Sequence, residues 1–271
     1  MFKKIMFGSI LITALLGFVV FAMGFAGAIM VTTNIGSQAS PASALNAQTS
    51  DTTAQVSSRN TNSIKILILG DSIAKGTGDE KGKGFSVYLP EDFKTSTSKE
   101  IIVDNAGIDG QESRGLLELL QSGRFDNKIA DMNMVVVSIG GNDVRQILTM
   151  NSIAKEGQFN TIQVNYIRNL KAIIQVIRNI NPTATIICLG LYNPYEKSGT
   201  SADTRLLNEW NYNTQQLIGE DGKAIFIPTY DLMHFNLNQY IARDGMHPDS
   251  AGYEVISERI SRTVATIVKE L

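Results

Sequence analysis

Ile64-Lys65-Ile66-Leu67-Ile68-Leu69 is a mostly β-branched, nearly unbroken apolar run that stops at Gly70-Asp71-Ser72. A strand covered on only one face alternates apolar and polar residues, whereas one buried on both faces reads as a continuous apolar run. Gly-Asp-Ser then supplies the turn. Four similar short runs follow, at residues 101–104, 134–139, 184–189 and 224–227, each bounded by Gly, Asn or Pro. Between them lie segments of helical period. Ile162, Tyr166, Ile167, Leu170, Ile173, Ile174 and Ile177 recur at three- and four-residue steps until Asn181-Pro182 stops them. Leu206, Leu207, Trp210, Leu217 and Ile218 repeat the pattern, as do Tyr253, Ile256, Ile260, Val264 and Ile267. Shorter helices are expected over residues 85–93, broken by Pro90, and over residues 113–120. Strands alternating with helices predict a three-layer α/β/α domain over residues 63–271, with a flavodoxin-like parallel sheet of five strands in the order 2-1-3-4-5.

Outward from this domain the chain changes character. Lys3 and Lys4 precede a charge-free, apolar segment, residues 5–31. As a helix it would extend about 40 Å, more than the roughly 30 Å of a bilayer core and longer than a secretory h-region of about 7–15 residues. Residues 1–31 are therefore predicted to form one transmembrane anchor, with the lysines on the cytoplasmic side and everything after it outside. Ala26-Gly27-Ala28 and Ala42-Ser43-Ala44 have the small-x-small form of cleavage sites, so secretion after cleavage is the second reading. Residues 32–62, rich in Ser, Thr, Ala, Asn and Gln, bury too little to offset their ordering entropy and are read as a flexible tether.

Composition excludes several chemistries. The formal net charge is −2 with the signs interspersed, so no basic stripe suits nucleic acid. Cys188 is the single cysteine, which rules out an internal disulfide or a cysteine zinc site; within its apolar run it reads as a small core residue. His234 and His247 are the two imidazoles of the chain. They show no metal-ligand spacing. His234 stands in Leu232-Met233-His234-Phe235 with no Asp three residues before it, which suits a structural or rim position. Trp210, at helical spacing, is expected in the core.

Four polar clusters stand after strands: residues 70–76 (Gly-Asp-Ser-Ile-Ala-Lys-Gly), 105–110 (Asn-Ala-Gly-Ile-Asp-Gly), 140–143 (Gly-Gly-Asn-Asp) and 244–249 (Asp-Gly-Met-His-Pro-Asp). Singly each is a common turn; together, in this order at strand ends, they are specific. In these four blocks the chain resembles the SGNH, or GDSL-type, hydrolases, and in particular the secreted or anchored lipase/acylhydrolase-like members of Gram-positive bacteria. The resemblance covers residues 64–271. It implies Ser72 as nucleophile, His247 as its base, Asp244 as the carboxylate that orients the base, and an oxyanion hole from the N–H of Ser72, the N–H of Gly110 and the side chain of Asn142. It implies no cofactor, and it gives Asp71 and Asp143 the role of shaping their turns. Residues 78–84, Gly-Asp-Glu-Lys-Gly-Lys-Gly, are similar to those members as well, without a chemical role that the sequence suggests.

The chemistry agrees. A serine hydroxyl needs a base, neutral imidazole suits that task at pH 7, and attack on a carbonyl creates an oxyanion that preorganised donors must meet. An α/β-hydrolase elbow wants Gly-x-Ser-x-Gly, but Ala74 holds the last position. The expectation is an extracytoplasmic serine esterase acting on a small-molecule, lipid or glycan ester: a lysophospholipid, a glycan O-acetyl group and a small soluble ester all fit. A non-catalytic surface-displayed binding domain on the same fold is the alternative. The segment from Pro228 to Asp249 is expected as a long connection that carries Asp244 and His247 across to the other blocks.

Overall fold

The computed structural model describes residues 62–148, 152–196 and 201–271. The expected anchor over residues 5–31, and all but the last residue of the tether, lie outside the described residues. Among the described residues no helix is long and apolar enough to cross a membrane.

Five strands, β1 (Ser63–Gly70), β2 (Glu100–Gly107), β3 (Met134–Ser138), β4 (Thr185–Leu189) and β5 (Ala224–Ile227), form one sheet in the order β2-β1-β3-β4-β5. Every pairing is parallel. The helices in chain order are α1 (Ser72–Lys75), α2 (Phe85–Phe93), α3 (Ser113–Gln121), α4 (Asp126–Ala130), α5 (Gly141–Leu148), α6 (Ser152–Ile180), α7 (Ser201–Ile218), α8 (Tyr230–His234), α9 (Leu237–Tyr240) and α10 (Ser250–Glu270).

Period-two alternation divides each inner strand between two cores. Leu67, Leu69, Val135, Val137, Ile186 and Cys188 face one side, packing with Leu116, Leu170, Ile173, Ile177 and Trp210 of α3, α6 and α7. Ile64, Ile66, Ile68, Val136 and Ile187 face the other, against Phe85 and Leu89 of α2 and Tyr253, Ile256, Ile260 and Val264 of α10. Each such side chain, fully buried, stabilises the fold by about 1.5–3 kcal/mol relative to exposure. Trp210 is fully buried and stacks on Tyr166 at 4.4 Å between ring centroids. Cys188 is equally buried, and burial pushes its thiol up to about 12, which removes the reactive thiolate.

Three local readings change. Pro90 does not break α2, which runs through it from Phe85 to Phe93. Proline removes one helical N–H, but Phe85, Tyr88, Leu89 and Phe93 are all buried on the same helix, and their burial outweighs the loss. Strand β2 extends beyond residue 104 to Gly107, because its polar Asp104 and Asn105 sit on an edge strand where half-exposure is tolerated. The connection after Pro228 is not featureless: it contains α8 and α9, anchored by buried Met233 and Leu237.

Candidate active site

The site grows from the carboxyl end of β1. Gly70 has φ +135°, and a Cβ there would stand 1.8 Å from the Ser138 carbonyl oxygen, so a side chain cannot be accommodated. That close approach lets the ends of three strands lock together: Asp71 N–H donates to Ser138 O (2.9 Å) and Ile108 N–H donates to Gly70 O (3.0 Å). Asp71 then caps the single turn α1, its Oδ1 accepting from Ile73 N–H at 3.0 Å. The turn closes at Gly76 in the left-handed conformation. Ser72 is thus the first residue of a short helix that starts on the sheet edge. Asp71 is almost fully buried (2% exposed), and burial, with Asp143 nearby, pushes its carboxyl up to about 7 despite the N–H groups it accepts.

The segment between α9 and α10 meets this turn. His247 Nε2 lies 2.8 Å from Ser72 Oγ, and His247 Nδ1 lies 2.7 Å from Asp244 Oδ2. Asp244 Oδ1 also accepts from the N–H groups of Met246 (2.9 Å) and His247 (3.0 Å), so one carboxylate shapes the turn and orients the ring. Burial opposes ionisation of Asp244, but the His247 ring and these two N–H groups outweigh it and hold the carboxyl below its ordinary range. A proton on Nδ1, donated to that carboxylate, leaves Nε2 as an acceptor for the Ser72 hydroxyl.

Asn142 is the second residue of α5, and its Nδ2 donates one hydrogen to Gln111 O at 3.0 Å, leaving a second hydrogen for another acceptor. Gly110, immediately before Gln111, has φ +73° and nothing within 4 Å of the place a Cβ would occupy. Among the described residues its N–H has no acceptor, and neither has that of Ser72. Ser72, Asn142 and His247 line one cavity, together with Asp71; Asp244 stands behind His247, and Gly110 is not part of the lining. Asp143 points away: its carboxylate accepts from Ser113 N–H (3.0 Å) and Ser113 Oγ at the start of α3. His234 takes no part in the cluster. It pairs with Glu196 at 2.6 Å and contacts Tyr230 at 3.1 Å. Among the described residues no group of His, Cys, Asp and Glu could hold a metal ion.

Much of the remaining wall is apolar, from Ile73, Val144, Leu191, Tyr192, Leu207 and Met246, while Arg145, Asn193 and Asp203 add polar and charged members. Sequence reasoning missed the contribution of the loop after β4. Tyr192 there is buried and donates its hydroxyl to Met246 O at 2.7 Å, bracing the segment that carries His247. Its signal was available: Gly190-Leu191-Tyr192-Asn193 is also a cluster at a strand's carboxyl end, but its apolar residues disguise it as core. Gly140 was recognised as a turn residue; here a Cβ would meet the Tyr166 ring at 2.8 Å, so the core stack of Tyr166 and Trp210 lies directly under the turn that leads into Asn142.

Residues 68–255 match the GDSL-like Lipase/Acylhydrolase family. The chain is 29% identical over 209 residues to the uncharacterized protein YpmR of Bacillus subtilis, covering 74% of this chain and 81% of that protein. It is 24% identical over 204 residues to the spore germination lipase LipC of Bacillus licheniformis, covering 73% and 94% of the two chains. Among solved structures, the lipase Lip_vut3 from a goat rumen metagenome superposes with a TM-score of 0.68 at 22% identity, over 73% of this chain and 96% of that one.

Proposed function

The chain belongs to the GDSL-like lipase/acylhydrolase family and is an ester-bond hydrolase; from that premise we propose that it cleaves carboxylic esters through an acyl-enzyme on Ser72. The observation that carries this reading is the unbroken line of contacts from Ser72 Oγ through the His247 ring to Asp244, at 2.8 and 2.7 Å. Ser72 Oγ attacks the ester carbonyl as its proton passes to His247 Nε2, and the Asp244 carboxylate stabilises the imidazolium that forms. The carbonyl oxygen becomes an oxyanion, met by the N–H groups of Ser72 and Gly110 and by the free amide hydrogen of Asn142. Collapse breaks the bond to the alcohol, which leaves with the proton from His247. Water, activated by the same imidazole, then releases the acid. The apolar residues Ile73, Val144, Leu191 and Leu207 in the wall suit the acyl part of the ester, whether the substrate is a lysophospholipid, a glycan O-acetyl group or a small soluble ester.

Ser72→Ala is expected to lower kcat on a p-nitrophenyl ester by roughly 10⁵–10⁶-fold with unfolding unchanged. Wild-type turnover by the purified variant would overturn the proposal. Covalent labelling by a fluorophosphonate, lost in Ser72→Ala, separates an activated serine from a binding domain on the same fold.

The same proposal places the enzyme outside the cytoplasm. Lys3 and Lys4 ahead of the apolar residues 5–31 support a single anchor, and the polar residues 32–62 support a tether between anchor and hydrolase domain. Such a tether favours an ester at the cell envelope. The mass of the mature protein tests the anchor: a loss of about 3 kDa from the amino end would mean a cleaved signal instead.

A further inference from the structure

Residues 76–84 contain the run that the sequence resemblance left without a role, and the structure wraps them around one carboxylate. Asp79 is buried (7% exposed) and accepts from the N–H groups of Lys81 (3.0 Å), Lys83 (3.3 Å) and Gly84 (2.9 Å), from Tyr88 Oη (3.3 Å) and from Ser250 Oγ (2.5 Å). Four of these five donors belong to the loop and to α2; the fifth is the first residue of α10, three positions after His247. Glu80 reinforces that link: its Oε2 accepts from Ser250 N–H (3.0 Å) and shares with Asp79 the single hydroxyl hydrogen of Ser250, whose Oγ lies 2.7 Å away.

The loop also presses on the base itself. Gly78 has φ +95°, and a Cβ there would lie 2.6 Å from both His247 Cβ and Pro248 O. On its amino side Thr77 O accepts from buried Tyr253 of α10 at 2.8 Å, while Thr77 Oγ1 donates to Asp109 Oδ1 at 2.6 Å. The loop begins at Gly76, the residue that closes the Ser72 turn. It therefore leaves the Ser72 turn by a short covalent path and meets the His247 segment through the packing at Gly78 and the hydrogen bonds to Ser250, and the carboxylate of Asp79 fixes its shape. Burial opposes ionisation of that carboxyl, but the Ser250 hydroxyl and the three loop N–H groups outweigh it and hold the group below the ordinary carboxylate range.

We propose that Asp79 is a positioning residue for His247: through residues 76–84 and Ser250 it sets the separation of the imidazole from the Ser72 hydroxyl. It touches neither reacting atom. The inference rests on the serine-esterase reading above, since only a base needs such placement. A displacement of about 1 Å between reacting groups can cost on the order of 10²-fold in rate, which gives the loop a large effect at a distance.

The experiment compares Asp79→Asn, Asp79→Glu and the double variant Ser250→Ala with Glu80→Ala in the full chain. Turnover of a p-nitrophenyl ester, its pH profile, fluorophosphonate labelling rate and thermal unfolding are read for each. Asp79→Asn is expected to lower kcat by about 10²-fold with KM little changed, to slow labelling in parallel and to move the acid limb of the kcat/KM profile that reports His247. Asp79→Glu is expected to restore part of kcat. The double variant leaves the loop's own hydrogen bonds and the Thr77–Tyr253 bond intact and removes only the side-chain links of Asp79 and Glu80 to Ser250, so it is expected to fold even where Asp79→Asn does not; it is expected to lose about tenfold in kcat. Wild-type kcat and pH profile in the folded double variant, or in folded Asp79→Asn, would overturn the proposal while leaving the esterase reading intact. Full activity of Ser72→Ala would remove that reading instead.

Discussion

Ser72 stands on a turn that three strands pin from below, whereas His247 stands on a segment outside the sheet, between α9 and α10. Beneath the serine, Gly70 is packed against the Ser138 carbonyl with no room for a methyl group, and Asp71 is buried beside it. Around the histidine, Asp244 and Gly245 are exposed, and position depends on a few hydrogen bonds from Asp244, Tyr192 and the Asp79 loop. The turn that carries Ser72 is thus part of the folding unit. The segment that carries His247 is an attachment whose geometry can change without disturbing the cores. Apart from the Ser72 hydroxyl itself, changes to the serine turn should therefore cost stability and activity together, whereas changes on the histidine side should cost activity alone.

The sharpest way to break this comparison is Asp244→Asn. It should lower kcat by about 10⁴-fold through loss of the orienting carboxylate. Thermal unfolding should move by no more than a few degrees, because Asp244 is largely surface-exposed. A large fall in melting temperature would show that the two sides are not built differently. Gly70→Ala tests the other side. The clash with Ser138 O and the positive φ should destabilise the fold by more than about 4 kcal/mol, read as a shift in denaturant midpoint, with activity lost alongside.

The smallest effect concerns pH. Asp71 has a folded-state carboxyl near 7 against 3.8 when unfolded, so the folded state favours the protonated form. Its penalty is absent below about pH 4, grows as pH rises toward 7, and is complete above that. Between pH 5 and pH 8 this group alone should cost about 2–3 kcal/mol of stability. Asp71→Asn, which keeps the capping oxygen and removes the charge, should flatten that fall in urea titrations; an unchanged slope would mean that Asp71 is not the source. Asp244 has the opposite sign: its depressed carboxyl contributes stability above about pH 4 that disappears on acidification.

Much of this architecture was legible because its signals are local. Continuous apolar runs such as 64–69 and 134–138 report burial on both faces, and the structure places them as inner strands β1 and β3. The polar clusters at strand ends were equally readable, and the fold brings Ser72, Asn142 and His247 to one cavity. Pro90 was misread because helix propensity is weak beside four buried side chains on the same turn pattern. The loop at Leu191 and Tyr192 was missed because apolar residues that line a cavity look like core residues in sequence. Residues 78–84 stood out as glycines and charges, yet nothing in their spacing names Ser250, 171 positions away from Asp79, as their partner.

By itself the amino-acid sequence determined the element types, the three-layer class and the residues able to do ester chemistry, since periodicity, turn residues and titratable groups are properties of short segments. Only the tertiary structure decided distances: that an imidazole 175 residues from Ser72 comes to 2.8 Å, that Asp244 meets its far nitrogen, and that a buried carboxylate in a glycine-rich loop meets the Ser250 hydroxyl. Packing of two cores on one sheet sets those separations, and no local pattern encodes them.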